Sequence, residues 1–137
     1  MHMIKDIIMP KVEGVNVAIA RKKNEEANDY DWNVYLINKN NFSINTILIT
    51  SKGYGFKDEE KQETSVLRHM IPIIEAKDFA LVERIDTSVF HLYNQYWVSY
   101  YVDNVIHEKK FIFVPESIIE ENLVKIGILE LSGILHE

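Results

Sequence analysis

The chain contains no cysteine. That one absence excludes disulfide scaffolds, iron–sulfur sites, cysteine-ligated zinc and thiol catalysis. Proline and glycine are scarce, three and five among 137 residues, and there is no low-complexity linker and no internal repeat. No apolar run is long enough to span a membrane. A basic block is missing as well. Fifteen Lys and Arg stand against 21 Asp and Glu, a net charge of −6, whereas gripping a phosphate backbone takes clustered cations. The basic groups Arg21-Lys22-Lys23 and Lys109-Lys110 lie beside Glu25-Glu26 and Glu108 and read as solvated surface. The expectation is no nucleic acid and no membrane. The beginning, Met1-His2-Met3-Ile4-Lys5-Asp6, is too short in apolar character and too acidic for a secretory signal. The expected compartment is therefore the cytoplasm, and the sequon Asn41-Phe42-Ser43 carries no weight.

What is present is alternation. Hydrophobic residues make up 47% of the chain, enough for one domain with its own core. Nearly every apolar run has period two. Residues Tyr96 to Val102, then Asp103-Asn104, then Val105 to Val114 read as strand, two-residue turn and strand. Further strands are expected over Val15 to Ile19 after Gly14, Trp32 to Ile37, Ile44 to Ser51, Glu63 to Ile71, Phe79 to Ile85 and Gly127 to Leu135. Asp6 to Val12, broken by Pro10, reads as an edge strand or strand entry. Lys22 to Asp31, Gly53-Tyr54-Gly55 and the charged run Lys57 to Gln62 read as loops, and Pro72 as an interruption. Along Phe79, Leu81 and Ile85, Glu83 is the exception on the apolar side. Asp86-Thr87-Ser88 suits the cap of one helical turn, and Ser117 followed by Glu120-Glu121 suits a short helix near 117–126. About seven or eight strands, spaced roughly 10–15 residues apart, favour an all-β antiparallel sandwich, immunoglobulin-like in the order of its features, with a barrel as the alternative.

Three segments carry a family likeness. They are Asp31-Trp32-Asn33-Val34-Tyr35-Leu36-Ile37-Asn38, Ile49-Thr50-Ser51-Lys52-Gly53-Tyr54-Gly55 and Glu63-Thr64-Ser65-Val66-Leu67-Arg68-His69. With the strand Lys109-Lys110-Phe111-Ile112-Phe113, they make the chain resemble a family of short bacterial proteins labelled "phenylalanyl-tRNA synthetase subunit alpha". The label implies a synthetase-linked role. The residues do not supply one: aminoacylation needs a far larger domain with Arg-bearing motifs for ATP, amino acid and tRNA.

Motifs for chemistry are sparse. Gly53-Tyr54-Gly55 lacks the third glycine of a dinucleotide site and the Gly-Lys-Ser/Thr of a P-loop, so it reads as a turn from which Lys52 and Tyr54 can face a ligand. The five histidines, His2, His69, His91, His107 and His136, form no ligand-spaced pair, and no metal or cofactor is expected. No Gly-x-Ser-x-Gly elbow is present, and Ser51-Lys52 is not Ser-x-x-Lys. The acid pairs Glu59-Glu60 and Glu120-Glu121 read as solubility and helix-dipole residues. Arg68-His69 falls in a family-like segment and reads as an exposed outer strand with His69 half buried.

The densest feature is aromatic: Phe90, Tyr93, Tyr96, Trp97, Tyr100 and Tyr101. Both faces of this strand carry rings, so one face packs in the core and the other exposes either Trp97 and Tyr101 or Tyr96 and Tyr100, unless those rings are taken up by pairing with the 105–114 strand. The first expectation is a non-enzymatic module that works by protein contact or self-association, a homodimer being one form, with Trp97 and Tyr101 at the contact. The second is a small-molecule-binding protein or minor enzyme with its site near Lys52, Tyr54, Arg68 and His69.

Overall fold

The computed structural model describes residues 10–137. Ten strands run in the order β1 (Val15–Asn24), β2 (Asp29–Asn38), β3 (Ile44–Lys57), β4 (Glu60–Glu63), β5 (Leu67–Ile74), β6 (Asp78–Arg84), β7 (Tyr93–Val102), β8 (Val105–Phe113), β9 (Val124–Ile126) and β10 (Leu131–His136). They form two five-stranded sheets. The first has the order β6-β2-β1-β10-β9. In the second, β3 pairs with β4 and β5 along one side and with β7 on the other, and β8 lies beyond β7. Every pairing is antiparallel, and the sheets face each other as a sandwich. No helix among the described residues is long and apolar enough to cross a membrane.

The β7–β8 hairpin forms where the alternation places it. Asp103 and Asn104 both take positive φ, 49° and 64°, as a two-residue turn with the hand of the strand twist requires. Elsewhere the strands outrun the apolar pattern. The polar stretch 22–31, expected as a loop, is mostly ladder: β1 and β2 stay paired out to Asn24 and Asp29. Those ends overhang the core, so period-two hydrophobicity stops while backbone pairing continues. Stacking of the Arg21 guanidinium 4.0 Å over the Tyr30 ring supports the overhang.

The segment Gly53-Tyr54-Gly55 lies inside β3, not in a loop. A Cβ at Gly53 would come within 3.0 Å of the Thr64 methyl. Its absence lets Thr64 sit in the gap between β4 and β5, where the Gly53 N–H donates to Thr64 Oγ1 at 2.7 Å. The charged run 57–62 becomes a tight turn at Asp58 and Glu59 followed by β4. Pro72 does not interrupt β5. Among the described residues the strand pairs with β3 alone, so its other side tolerates a missing N–H.

The turn capped by Asp86 is present as a 3-10 turn at Thr87–Val89. The short helix expected near 117–126 is reduced to a single 3-10 turn, Glu120–Asn122. Ser117 spends its hydroxyl on the Val114 carbonyl at 2.6 Å instead of capping, and Val124–Ile126 pairs with β10 as β9. The edge strand expected over 6–12 falls mostly outside the described residues.

Between the sheets, Val15, Val17 and Ile19 of β1 and Val34 and Leu36 of β2 pack against Ile47 and Ile49 of β3, Val98 of β7 and Phe111 of β8. A second apolar layer lies on the other face of the first sheet, where Ala18, Ala20, Tyr35 and Ile37 meet Ile126 and Leu129 of the β9–β10 hairpin. β1 is therefore buried on both sides. Strand β10 completes this same sheet by pairing with β1. Gly133 permits the approach, because a Cβ there would lie 2.5 Å from the Ile19 carbonyl oxygen.

Candidate functional site

The second sheet sorts the candidate residues onto its two faces. Thr50 lies opposite Arg68 on β5 and opposite Trp97 on β7, and Trp97 lies opposite Lys110 on β8. The outer face thus carries a row Arg68–Thr50–Trp97–Lys110. One row over is Met70–Leu48–Ser99–Glu108, and on the other side come Lys52–Gln95–Ile112 and then Tyr54–Tyr93. Tyr101 extends the same face of β7. Five of the six residues singled out from the sequence, Lys52, Tyr54, Arg68, Trp97 and Tyr101, therefore share one surface. The sixth, His69, lies opposite Ile49 and faces inward.

That surface is apolar, aromatic and cationic at once. Leu48, Met70 and Trp97 are 47%, 68% and 45% exposed. The Lys110 ammonium lies 5.3 Å from the Trp97 ring centre and the Lys52 ammonium 5.6 Å from that of Tyr54. Tyr54 and Tyr93 stack at 5.3 Å with an 8° interplanar angle, across the non-local β3–β7 pairing. In a chain of net charge −6, Lys52, Arg68 and Lys110 gather on a single face. Glu108 lies in the Met70 row, and Glu63 is engaged by Lys61 at 3.3 Å.

The inward face holds an arrangement centred on Glu83 of β6. Between Val34 and Tyr35 of β2 the register against β6 shifts: Tyr35 faces Leu81, whereas Val34 faces Glu83. Val82 is the extra residue. This bulge reverses which side the strand shows. Phe79 and Leu81, which the period-two pattern assigns to the core, are turned outward, and Phe79 packs edge-on to Tyr35 at 6.0 Å. Glu83 is turned into the seam between the sheets.

There the carboxylate meets three groups of the second sheet. Ser51 donates its hydroxyl to Glu83 Oε1 at 2.8 Å, His69 Nε2 lies 2.6 Å from the same oxygen, and the Tyr96 hydroxyl donates to Oε2 at 3.4 Å. The Glu83 side chain is 11% exposed and that of His69 29%. Burial first, then the charge of Glu83, holds the Tyr96 phenol far above the ordinary tyrosine range. Tyr96 is therefore a fixed hydrogen-bond donor. Serine and imidazole both bond to the acid and not to each other. A serine–histidine–acid relay has the imidazole in the middle, so this order clamps a carboxylate without activating a hydroxyl.

A cavity of about 180 Å³ opens beside the carboxylate. Leu67, Ile85 and Val89 supply its apolar wall, and Ser51, Thr64, Asn94 and Tyr96 its polar part. Lys52 and Arg84 border it, but Lys52 reaches toward Tyr54 and Arg84 toward Asp31 at 3.7 Å. Asp86, also at the rim, is held below the usual carboxylate range by the Ser88 backbone N–H, which donates to Oδ1 at 2.8 Å, and next by the Ser88 side chain.

Sequence reasoning placed His69 near this region but missed Ser51, Glu83 and Tyr96. The available signal was Glu83 itself, a charge breaking an apolar face. The other described histidines are engaged in packing or local bonds: His91 with Gln62 at 2.7 Å, His107 stacked on Tyr100 at 5.0 Å, His136 edge-on to Phe111 at 5.3 Å. No group of three or more His, Asp or Glu among the described residues is arranged to hold a metal ion. No protein-family model, no curated protein and no solved structure matches this chain.

Proposed function

We propose that the protein is a cytoplasmic, non-catalytic β-sandwich that works by binding another protein through the outer face of its second sheet. The observation that carries the reading is the row Arg68–Thr50–Trp97–Lys110, with exposed Leu48 and Met70 beside it. Trp, Tyr and Arg dominate the energetics of protein contacts because each buries a large area while keeping a directional polar or charged group. The occupant is a partner whose contact surface mixes apolar and acidic side chains, complementary to Lys52, Arg68 and Lys110. A polyanionic nucleic acid fits less well. Glu108 and Glu63 interrupt the cations, and the net charge of −6 repels a phosphate backbone.

The test is affinity capture of the tagged protein from its native cells, run beside Trp97→Ala and Arg68→Glu. The expected result is one stoichiometric protein, retained less at high salt and weakened about tenfold or more by Trp97→Ala. Capture that both variants leave unchanged would overturn the reading. So would a dimer in light scattering that Trp97→Ala disperses, since the occupant would then be a second copy. Salt-sensitive binding of a single-stranded RNA oligomer, lost in the same variants, would replace the protein partner with RNA.

A further inference from the structure

We propose that the cavity at the sheet seam is a binding site for a small organic ammonium ion, with Glu83 as its counter-charge. The site lies on the opposite face of the second sheet from the docking surface and does not depend on it.

A carboxylate that is 11% exposed has given up most of its hydration, and that loss must be made good by donors. Its two oxygens are served unequally. Oε1 takes both short contacts, from Ser51 at 2.8 Å and His69 at 2.6 Å. Among the described residues Oε2 has only the long bond from Tyr96 at 3.4 Å, so it keeps acceptor capacity beside the open cavity. An N⁺–H donor is the partner such an acceptor binds most strongly, because charge-assisted bonds are roughly twice as strong as neutral ones.

The surroundings set the rest of the ligand. Leu67, Ile85 and Val89 form an apolar wall, which asks for a short hydrocarbon body next to the ammonium. About 180 Å³ is below the ~300–1,000 Å³ typical of drug-sized pockets, so the ligand is small. Asp86 at the rim adds a second negative charge; Lys52 lies over Tyr54 and Arg84 beside Asp31, and His69, 2.6 Å from Oε1, pairs with Glu83 as an ion only when protonated. An anionic ligand would meet Glu83 directly, and Tyr96, held in its protonated form, already spends its proton on that carboxylate.

The site is tested with three probes of one shape: n-butylammonium, n-butanol and butyrate. Binding is followed by amide chemical shifts of Gly53, Leu67, Ile85 and Val89 and by the melting temperature. The expected result is saturable binding of butylammonium about tenfold tighter than of butanol, none of butyrate, and loss of that preference in Glu83→Gln. Equal binding of butanol and butylammonium would overturn the proposal, as would preference for butyrate, butylammonium binding unchanged in Glu83→Gln, or no saturable shift with any probe. If Glu83→Gln fails to fold, Leu67→Trp decides. It puts a larger side chain at the cavity mouth while keeping Glu83 in the chain, and binding that persists in it overturns the site. Arg68→Glu, on the outer face, leaves butylammonium binding intact, so failure here and failure of the docking face are read separately.

Discussion

Three pairs of neighbours, Ser51 and Lys52, Arg68 and His69, Tyr96 and Trp97, stand on opposite faces of the same sheet. Inward, Ser51, His69 and Tyr96 converge on one carboxylate with fixed partners and distances from 2.6 to 3.4 Å. Outward, among the described residues, Lys52, Arg68 and Trp97 meet only cross-strand neighbours and rings, and they are exposed. One residue of displacement along a strand separates a group that holds the two sheets together from a group free to meet a partner. The lesson is that the pleat doubles the uses of a strand, and that adjacent residues are poor guides to a shared site.

Mutations sharpen this contrast. Phe111 lies on the inner face of β8 with no exposure, and Phe111→Ala should cost about 3–5 kcal/mol by urea denaturation. Trp97→Ala, on the neighbouring strand's outer face, should cost far less. Glu83→Ala leaves the Ser51, His69 and Tyr96 groups without their common acceptor. An expected loss of roughly 1–3 kcal/mol is measured the same way, and a silent variant would mean that the seam is held by packing alone.

Alkaline pH separates the faces by another route. Burial, and then Glu83, raises the ionisation of Tyr96, while burial pushes Tyr100 up to about 12. Unfolded phenols ionise near pH ~10. The stability these two inward tyrosines contribute is full below that pH and is lost as pH rises toward and through about 12. Unfolding free energy should therefore fall over that window, and Tyr96→Phe with Tyr100→Phe should flatten the fall. A flat profile in the parent protein would break the assignment. Smallest of all, Arg68→Ala should change stability by no more than about 0.5 kcal/mol while weakening partner capture, whereas His69→Ala, its neighbour, should do the reverse.

The all-β class and the β7–β8 hairpin were legible because alternation and an Asp-Asn turn are local signals. The extension of β1 and β2 through 22–31 was not, because ladder hydrogen bonds are made by backbone and leave no mark in side-chain hydropathy. The strand at Gly53 was hidden for a related reason: glycine there answers Thr64, eleven residues away, and not a turn. Glu83 shows the limit most clearly. Its charge broke the apolar pattern and so was visible, but the bulge at Val82 that turns it inward depends on pairing with β2, some fifty residues earlier in the chain. Its partners Ser51 and Tyr96 looked like ordinary strand residues, since nothing in their own neighbourhoods records a carboxylate arriving from the other sheet.

The completion of the first sheet by β10 sets an order of events. The second sheet is drawn from one stretch, 44–113, left only once when β6 crosses to the other layer. The first sheet is assembled from both sides of that stretch, and its central pairing joins Val17–Arg21 to Ser132–His136. Closing so long a loop is slow, because its entropy is lost before its contacts form. The second sheet can therefore gather early, while β1 waits with an unsatisfied edge for the last strand to arrive. Until it does, β1 carries an unpaired edge at Val17–Arg21, the kind of edge that templates aggregation, and the folded molecule places it in the middle of a sheet.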